Sequence, residues 1–245
     1  VKKVGQEPII YDADQVESSV DNILDHLEYQ GYYGSDVQSD IKVKGKKVSV
    51  TYNVTLGRRF PIEDISIDLP SRGEFRECFL QDTSAMTVRK GDFLSEAALE
   101  KESERSSAAM RNVGFYDFNK NYFFFEADTT SYPGKALLKL TVNEYTRNES
   151  PRNASPIRKF YFNDINITYP KSLKIKEKVL RDLTTIYPGD LYGEDKINNT
   201  YARLSALRVF SSVNIGMTQT DTNVVDCSIS MAQSRLQGFK VNLEA

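Results

Sequence analysis

The sequence predicts an α+β chain of tandem small β-α-α-β-β modules. Each would be a three-stranded mixed sheet with two helices on one face, and the modules would form an elongated array. Three observations carry this. The stretch from Gly91 to Glu144 reads as one unit: a Gly91-Asp92 turn, a helical run from Ser95 to Val113, a Gly114-Phe115-Tyr116 step, and two strands around Ser131-Tyr132-Pro133-Gly134. The helix interval recurs upstream, because Asp12 to Gly31 spans 31 − 12 = 19 positions and Ser95 to Gly114 spans 114 − 95 = 19. A third copy is shorter: Asp92 to Tyr116 spans 24 positions and Asp190 to Phe210 spans 20. The loss of four is close to one helical turn, so the buried face keeps its phase.

Residues 1–57 form a partial module that lacks its opening strand and first helix. Asp12 is suited to cap a helix with the apolar stripe Val16, Val20, Ile23, Leu24 and Leu27, and Gly31 ends it. Strands at Val37–Val43 and Lys47–Leu56 flank a turn at Gly45. The alternation of Val48, Val50, Tyr52, Val54 and Leu56 predicts one buried face.

A complete module follows at 58–146. Its opening strand carries Phe60, Ile62, Ile65, Ile67 and Leu69, and a short helix over Glu74–Gln81 offers Phe75, Cys78 and Phe79. The long helix has the stripe Leu99, Ser103, Ser106, Met110 and Val113, whose small members allow close approach. Strands at Asn119–Glu126 and Leu137–Glu144 close the unit. Residues 147–156, with two prolines and no apolar residue larger than alanine, read as a linker. The second complete module, 157–233, repeats the order. Its strand holds Phe160, Phe162, Ile165, Ile167 and Tyr169. Leu173, Val179, Leu180 and Leu183 suit one helix, and Ile197, Tyr201, Leu204 and Leu207 a second that ends near Phe210. Strands at Val213–Gln219 and Val224–Met231 complete it. Residues 234–245 stand apart as a tail.

Composition narrows function. Of 245 residues 40% are apolar and 27% charged, with net charge −2. That balance does not favour nucleic acid, which needs a concentrated basic face. The basic clusters Lys42–Lys47 and Arg58-Arg59 are short and read as solvated strand ends. No apolar run approaches the ~18 residues of a spanning helix. No basic-then-apolar leader opens the chain, so an exported protein would begin here after its signal. Cys78 and Cys227 fall in different modules and are expected to be free thiols. His26 lies beside its helix stripe, without an evident catalytic partner. Ser39-Asp40-Ile41-Lys42 fits a Ser-x-x-Lys nucleophile motif but lies along a strand, where that chemistry needs a helix start. Glu102 and Glu104 point in different directions from one helix. The expectation is a protein that is no enzyme, with no catalytic residue, cofactor or metal.

The Gly-Asp turns (Gly91-Asp92, Gly189-Asp190), the Gly-aromatic-aromatic steps (Gly31-Tyr32-Tyr33, Gly114-Phe115-Tyr116) and the Gly57-Arg58-Arg59-Phe60 junction into Ile65-Ser66-Ile67 resemble the polypeptide-transport-associated (POTRA) repeats of the BamA/TamA outer-membrane assembly family. The tail Leu236–Ala245 looks like the segment leading to that family's membrane β-barrel, which lies outside this chain. The departures are the missing half-module, the long linker and Arg208, which stands where the third copy should carry glycine. The resemblance implies a location on the periplasmic side of a Gram-negative outer membrane. The implied role is that of a receptor for unfolded outer-membrane proteins, with accessory periplasmic proteins or lipoproteins as further partners and no cofactor. A two-partner-type polypeptide secretion pore carries similar repeats and is the alternative.

In this order the first and last strands pair in parallel, which leaves the earlier hairpin strand at an edge. Such an edge accepts an added strand. The candidate docking edge is Asn119–Glu126, with Asn119, Asn121, Tyr122, Phe123, Phe124 and Phe125 as its site residues. Four aromatics in a row put rings on both faces, so two should be exposed or buried against a neighbouring module. A client surface and inter-module packing both fit. Val37–Val43 and Val213–Gln219 are the matching, more polar edges.

Overall fold

The computed structural model describes residues 10–233, apart from the side chain of Asn153. The tail read as a barrel entry lies outside the described residues. Of the described residues, those up to Asp68, with Met86–Ser103 and Phe123–Val142, form one compact unit; Leu69–Ala85, Glu104–Tyr122 and the described residues from Asn143 on form a second.

The first unit opens with α1 (Ala13–Tyr29), capped by the Asp12 side chain, which accepts the Asp14 N–H at 3.0 Å. Gly31 ends it at φ +86, with Gly31 N–H bonded to Glu28 O and Tyr32 N–H to Leu27 O, each at 2.8 Å. This paired closure needs a left-handed residue at Gly31. β1 (Asp36–Lys44) and β2 (Lys47–Thr55) form an antiparallel hairpin through Gly45. The buried face predicted on β2 is not found: Val48, Val54 and Leu56 are exposed, and Val50 and Tyr52 half-buried. Among the described residues no third strand pairs with this ribbon.

The same unit holds the sheet of β3 (Ile62–Asp68), β4 (Phe123–Asp128) and β5 (Ala136–Val142), in the order β3-β5-β4. β3 runs parallel and β4 antiparallel to β5. The crossover from β3 to the hairpin carries α2 (Glu74–Asp82) and α3 (Glu96–Asn112). The start of α3 drives Leu94 and Leu99 against Ile62, Ala136 and Leu138. Ser103, Ser106 and Met110 are buried as the stripe predicts, but Val113 is 37% exposed. It follows the last helical residue, Asn112, and directly precedes the turn at Gly114, φ +110.

In the second unit Phe75 of α2 packs its ring 5.1 Å from Phe115 and 4.8 Å from Phe118. The segment read as a linker is held at both ends: Arg147 N–H donates to Asn121 O and Ser155 N–H to Glu144 O, each at 2.9 Å. Then come β6 (Tyr161–Thr168), α4 (Glu177–Leu183), α5 (Glu194–Ser205), β7 (Phe210–Asp221) and β8 (Val224–Gln233), with sheet order β6-β8-β7. Leu180 of α4 and Leu204 of α5 share a core with Phe162, Val225, Cys227 and Ile229, so both helices cover one face. Leu173 precedes α4 rather than joining it, Val179 and Tyr201 are exposed, and α5 stops short of Phe210. Arg208 adopts φ +54 there, and β7 begins two residues later.

The repeat extends to hydrogen bonds. Ile62 N–H donates to Asp92 O and Gly91 N–H to Ile62 O; Phe162 and Asp190, then Gly189 and Phe162, make the same pair. Each Gly-Asp turn thereby closes onto the first strand of its module. A buried latch recurs as well: Glu102 Oε2 accepts the Thr87 N–H at 2.7 Å, and Thr200 Oγ1 accepts the Thr185 N–H at 2.9 Å.

Candidate functional site: open sheet edges

The residues predicted for the docking edge divide. Phe123, Phe124 and Phe125 lie in β4, but Asn119, Asn121 and Tyr122 precede it, with Lys120–Tyr122 forming a 3-10 turn. Asn119 uses its side chain to accept the Asn121 N–H at 3.0 Å, a local turn that competes with strand pairing. β4 borders β5 on one side and no other strand among the described residues, so it is an edge as predicted.

None of the four rings is exposed. Phe123 is fully buried, Phe124 and Phe125 are half-buried, and Phe123 stacks on Phe125 at 6.2 Å. Phe125 packs against the core of Ile62 and Leu138. Tyr122 is half-buried against Phe118 at 5.1 Å. Burial, then the nearby charges of Asp117 and Glu149, push its phenol up to about 12, so it stays neutral. Of the two outcomes expected for two of these rings, exposure or burial against a neighbouring module, exposure is not found. Strand pleat turns Phe123 and Phe125 to the covered face, and Phe124 alone takes the other. Beyond it β4 carries Glu126 and Asp128, and a short charged edge is poorly disposed to pair.

β7 is the stronger edge. It runs twelve residues, twice the length of β4, and lies outside β8 in its sheet. No charged side chain occurs from Phe210 to Thr220. Register shifts fall only near its ends, at Phe210/Ser212 and Gln219/Asp221, so Val213–Gln219 pairs evenly. Its core-facing residues Val213, Ile215 and Met217 alternate with Ser212, Asn214, Gly216 and Thr218, which are small or polar. The sequence signal was this uncharged run, outweighed by the more conspicuous aromatics of β4.

The family model of the surface antigen variable number repeat, POTRA, matches residues 3–57. No match is found among curated proteins. The structure of Haemophilus influenzae BamA POTRA3-5 superposes with a TM-score of 0.55 at 15% identity, covering 92% of this chain and 83% of that one. BamA from Haemophilus ducreyi lacking POTRA domains 1-3 gives 0.53 at 12% identity, over 71% of this chain and 30% of that one. These likenesses, with the strand order and the recurring Gly-Asp closure, decide the architecture. The modules have the POTRA fold. The outer strands of these POTRA modules are β3 and β4 in one sheet and β6 and β7 in the other, with the hairpin of β1 and β2 open on both sides among the described residues. No helix among the described residues is long and apolar enough to cross a membrane. Nor do they hold a group of His, Cys, Asp or Glu arranged to bind a metal. His26 is exposed on α1, and Glu104 pairs with Lys120 at 2.9 Å on the surface of α3.

Proposed function

We propose that this chain is the periplasmic receptor region of an outer-membrane protein assembly factor. It holds unfolded outer-membrane proteins, or accessory proteins, by strand addition to the β7 edge and to the Phe123–Phe125 edge of β4. The observation that supports this reading most is the long, uncharged, evenly paired outer strand β7 in a POTRA-fold module. Backbone pairing is indifferent to client side chains, which suits many clients. Each added bond contributes about 1 kcal/mol net, so capture is weak and reversible, as a hand-over requires.

The test is titration of isotope-labelled 1–245 with a peptide copied from an outer-membrane β-strand. Amide shifts are expected along Phe210–Asp221, with smaller ones along Phe123–Asp128. The same peptide N-methylated at alternate amides should bind on the order of a hundredfold more weakly, since about three donors are lost. Shifts confined to the helices, or equal binding of the two peptides, would overturn the reading.

A further inference from the structure

The two junctions between modules solve one capping problem in different ways. Aligning the Gly-Asp turns places Ser95, three residues after Asp92, against Gly193, three after Asp190. Ser95 Oγ accepts the Ala98 N–H at 3.2 Å, so α3 carries its own cap. At α5 the capping position is Gly193, which has no side chain to offer. Its place is taken from outside. Asn112, the last residue of α3, accepts the Asp195 N–H through Oδ1 at 2.8 Å.

The surroundings hold Asn112 in register. Arg111 Nε donates to Glu194 Oε2 at 2.9 Å, and Arg111 Nη1 donates to Phe118 O at 3.2 Å. Phe160 N–H bonds to Gly114 O at 2.8 Å. A Cβ on Gly114 would come within 2.8 Å of the Leu191 side chain, and one on Gly193 would lie 3.4 Å from Asn112 O. Tyr116 packs edge-on to Phe160 and Tyr192, at 5.4 and 5.0 Å. The carbonyl end of α3 thus meets the amide end of α5, an electrostatically favourable pairing of helix dipoles.

We infer that Asn112 is a helix cap supplied in trans, and that it latches the second junction. Movement of the α3 end away from α5 must leave the Asp195 amide uncapped, so reorientation at this junction and fraying of α5 are one event. The first junction has no such coupling, because Ser95 caps α3 from within.

The test uses chain 1–245 with Asn112→Ala, Gly193→Ser and the double variant. Amide exchange of Asp195, Lys196 and Ile197 is read alongside residual dipolar couplings of Glu104–Asn112 and of the β6-β8-β7 sheet. Asn112→Ala should speed exchange in that first turn roughly three- to thirtyfold, the usual range for a lost cap. It should also split the alignment shared by the two segments. Adding Gly193→Ser supplies a cap in cis, so exchange should recover while the alignment stays split. The latch is refuted if Asn112→Ala changes neither readout, or if Gly193→Ser repairs both. Should Asn112→Ala fail to fold, Gly193→Ser alone decides. It should slow exchange by less than about twofold if Asn112 already caps α5, and tenfold slowing would show that it does not.

Discussion

Arg208 occupies the position that Gly31 and Gly114 hold in the other modules, and it takes the same left-handed backbone, φ +54. A residue with a Cβ costs about 1–2 kcal/mol there, while glycine costs about 0.5–1 kcal/mol through the freedom of the unfolded chain. Arg208→Gly is therefore expected to stabilise the third module by up to about 1 kcal/mol, seen as a higher denaturant midpoint with unchanged slope. Gly31 is the converse. A Cβ there would lie 2.2 Å from Leu94 O on a backbone already at φ +86. Gly31→Ala should cost about 3 kcal/mol, and a loss below about 1 kcal/mol would mean that the junction yields. Glu102 is 1% exposed and accepts both the N–H and the hydroxyl of Thr87, at 2.7 and 2.6 Å. Glu102→Ala strands those donors and opens a cavity, for an expected loss of about 3 kcal/mol by thermal or denaturant unfolding. The glycines were legible because turn geometry restricts residue type. Glu102 was not, since a glutamate on a helix reads as solvated until the fold supplies Thr87.

At the level of elements, strand order followed from the module pattern, but which strand is open enough to pair did not. The bulge in β6 shows how an element can depend on one charge. Asp226 of β8 accepts the Asp164 N–H at 3.1 Å and the Asn163 side-chain amide at 2.8 Å, across the register shift between Phe162 and Ile165. These bonds, that from the Asp164 backbone first, hold its carboxyl below the usual aspartate value. A folded pKa below the unfolded one means the bonds contribute fully above about pH 3.9 and are lost as pH falls through the folded value. The Asp164 amide shift should therefore titrate with a midpoint below about 3.9, and Asp226→Asn should abolish that titration. A midpoint at or above the ordinary value would contradict the assignment. The candidate site divides at this scale too. Phe123–Phe125 announced itself by composition, yet pleat and core packing turn two of its rings inward. β7 is plain in sequence, and its merit lies in length, neutrality and even register.

For the whole molecule, the cores are unequal. The third module buries a set that includes Phe162, Leu180, Leu204, Val225 and Ile229 on its own elements. Of the first module's described residues, Val16 and Val37 are the buried hydrophobics. A two-stranded ribbon with one helix is marginal alone. A fragment of 157–233 should therefore fold cooperatively, with well-dispersed amide resonances, while one of 1–57 should show coil-like circular dichroism. A folded 1–57 fragment would show that its ribbon is better covered than the described residues indicate.

The sequence by itself determined the module order, the glycine-marked ends of α1 and α3 and the parallel pairing of first and last strands, because periodicity, capping and glycine placement act over a few residues. Only the tertiary structure decided which aromatics face inward, which edge stays open, and that Asn112 caps a helix 83 positions away. Those outcomes depend on which surfaces meet in space, and residues distant in the chain carry no local mark of the neighbour that will complete them.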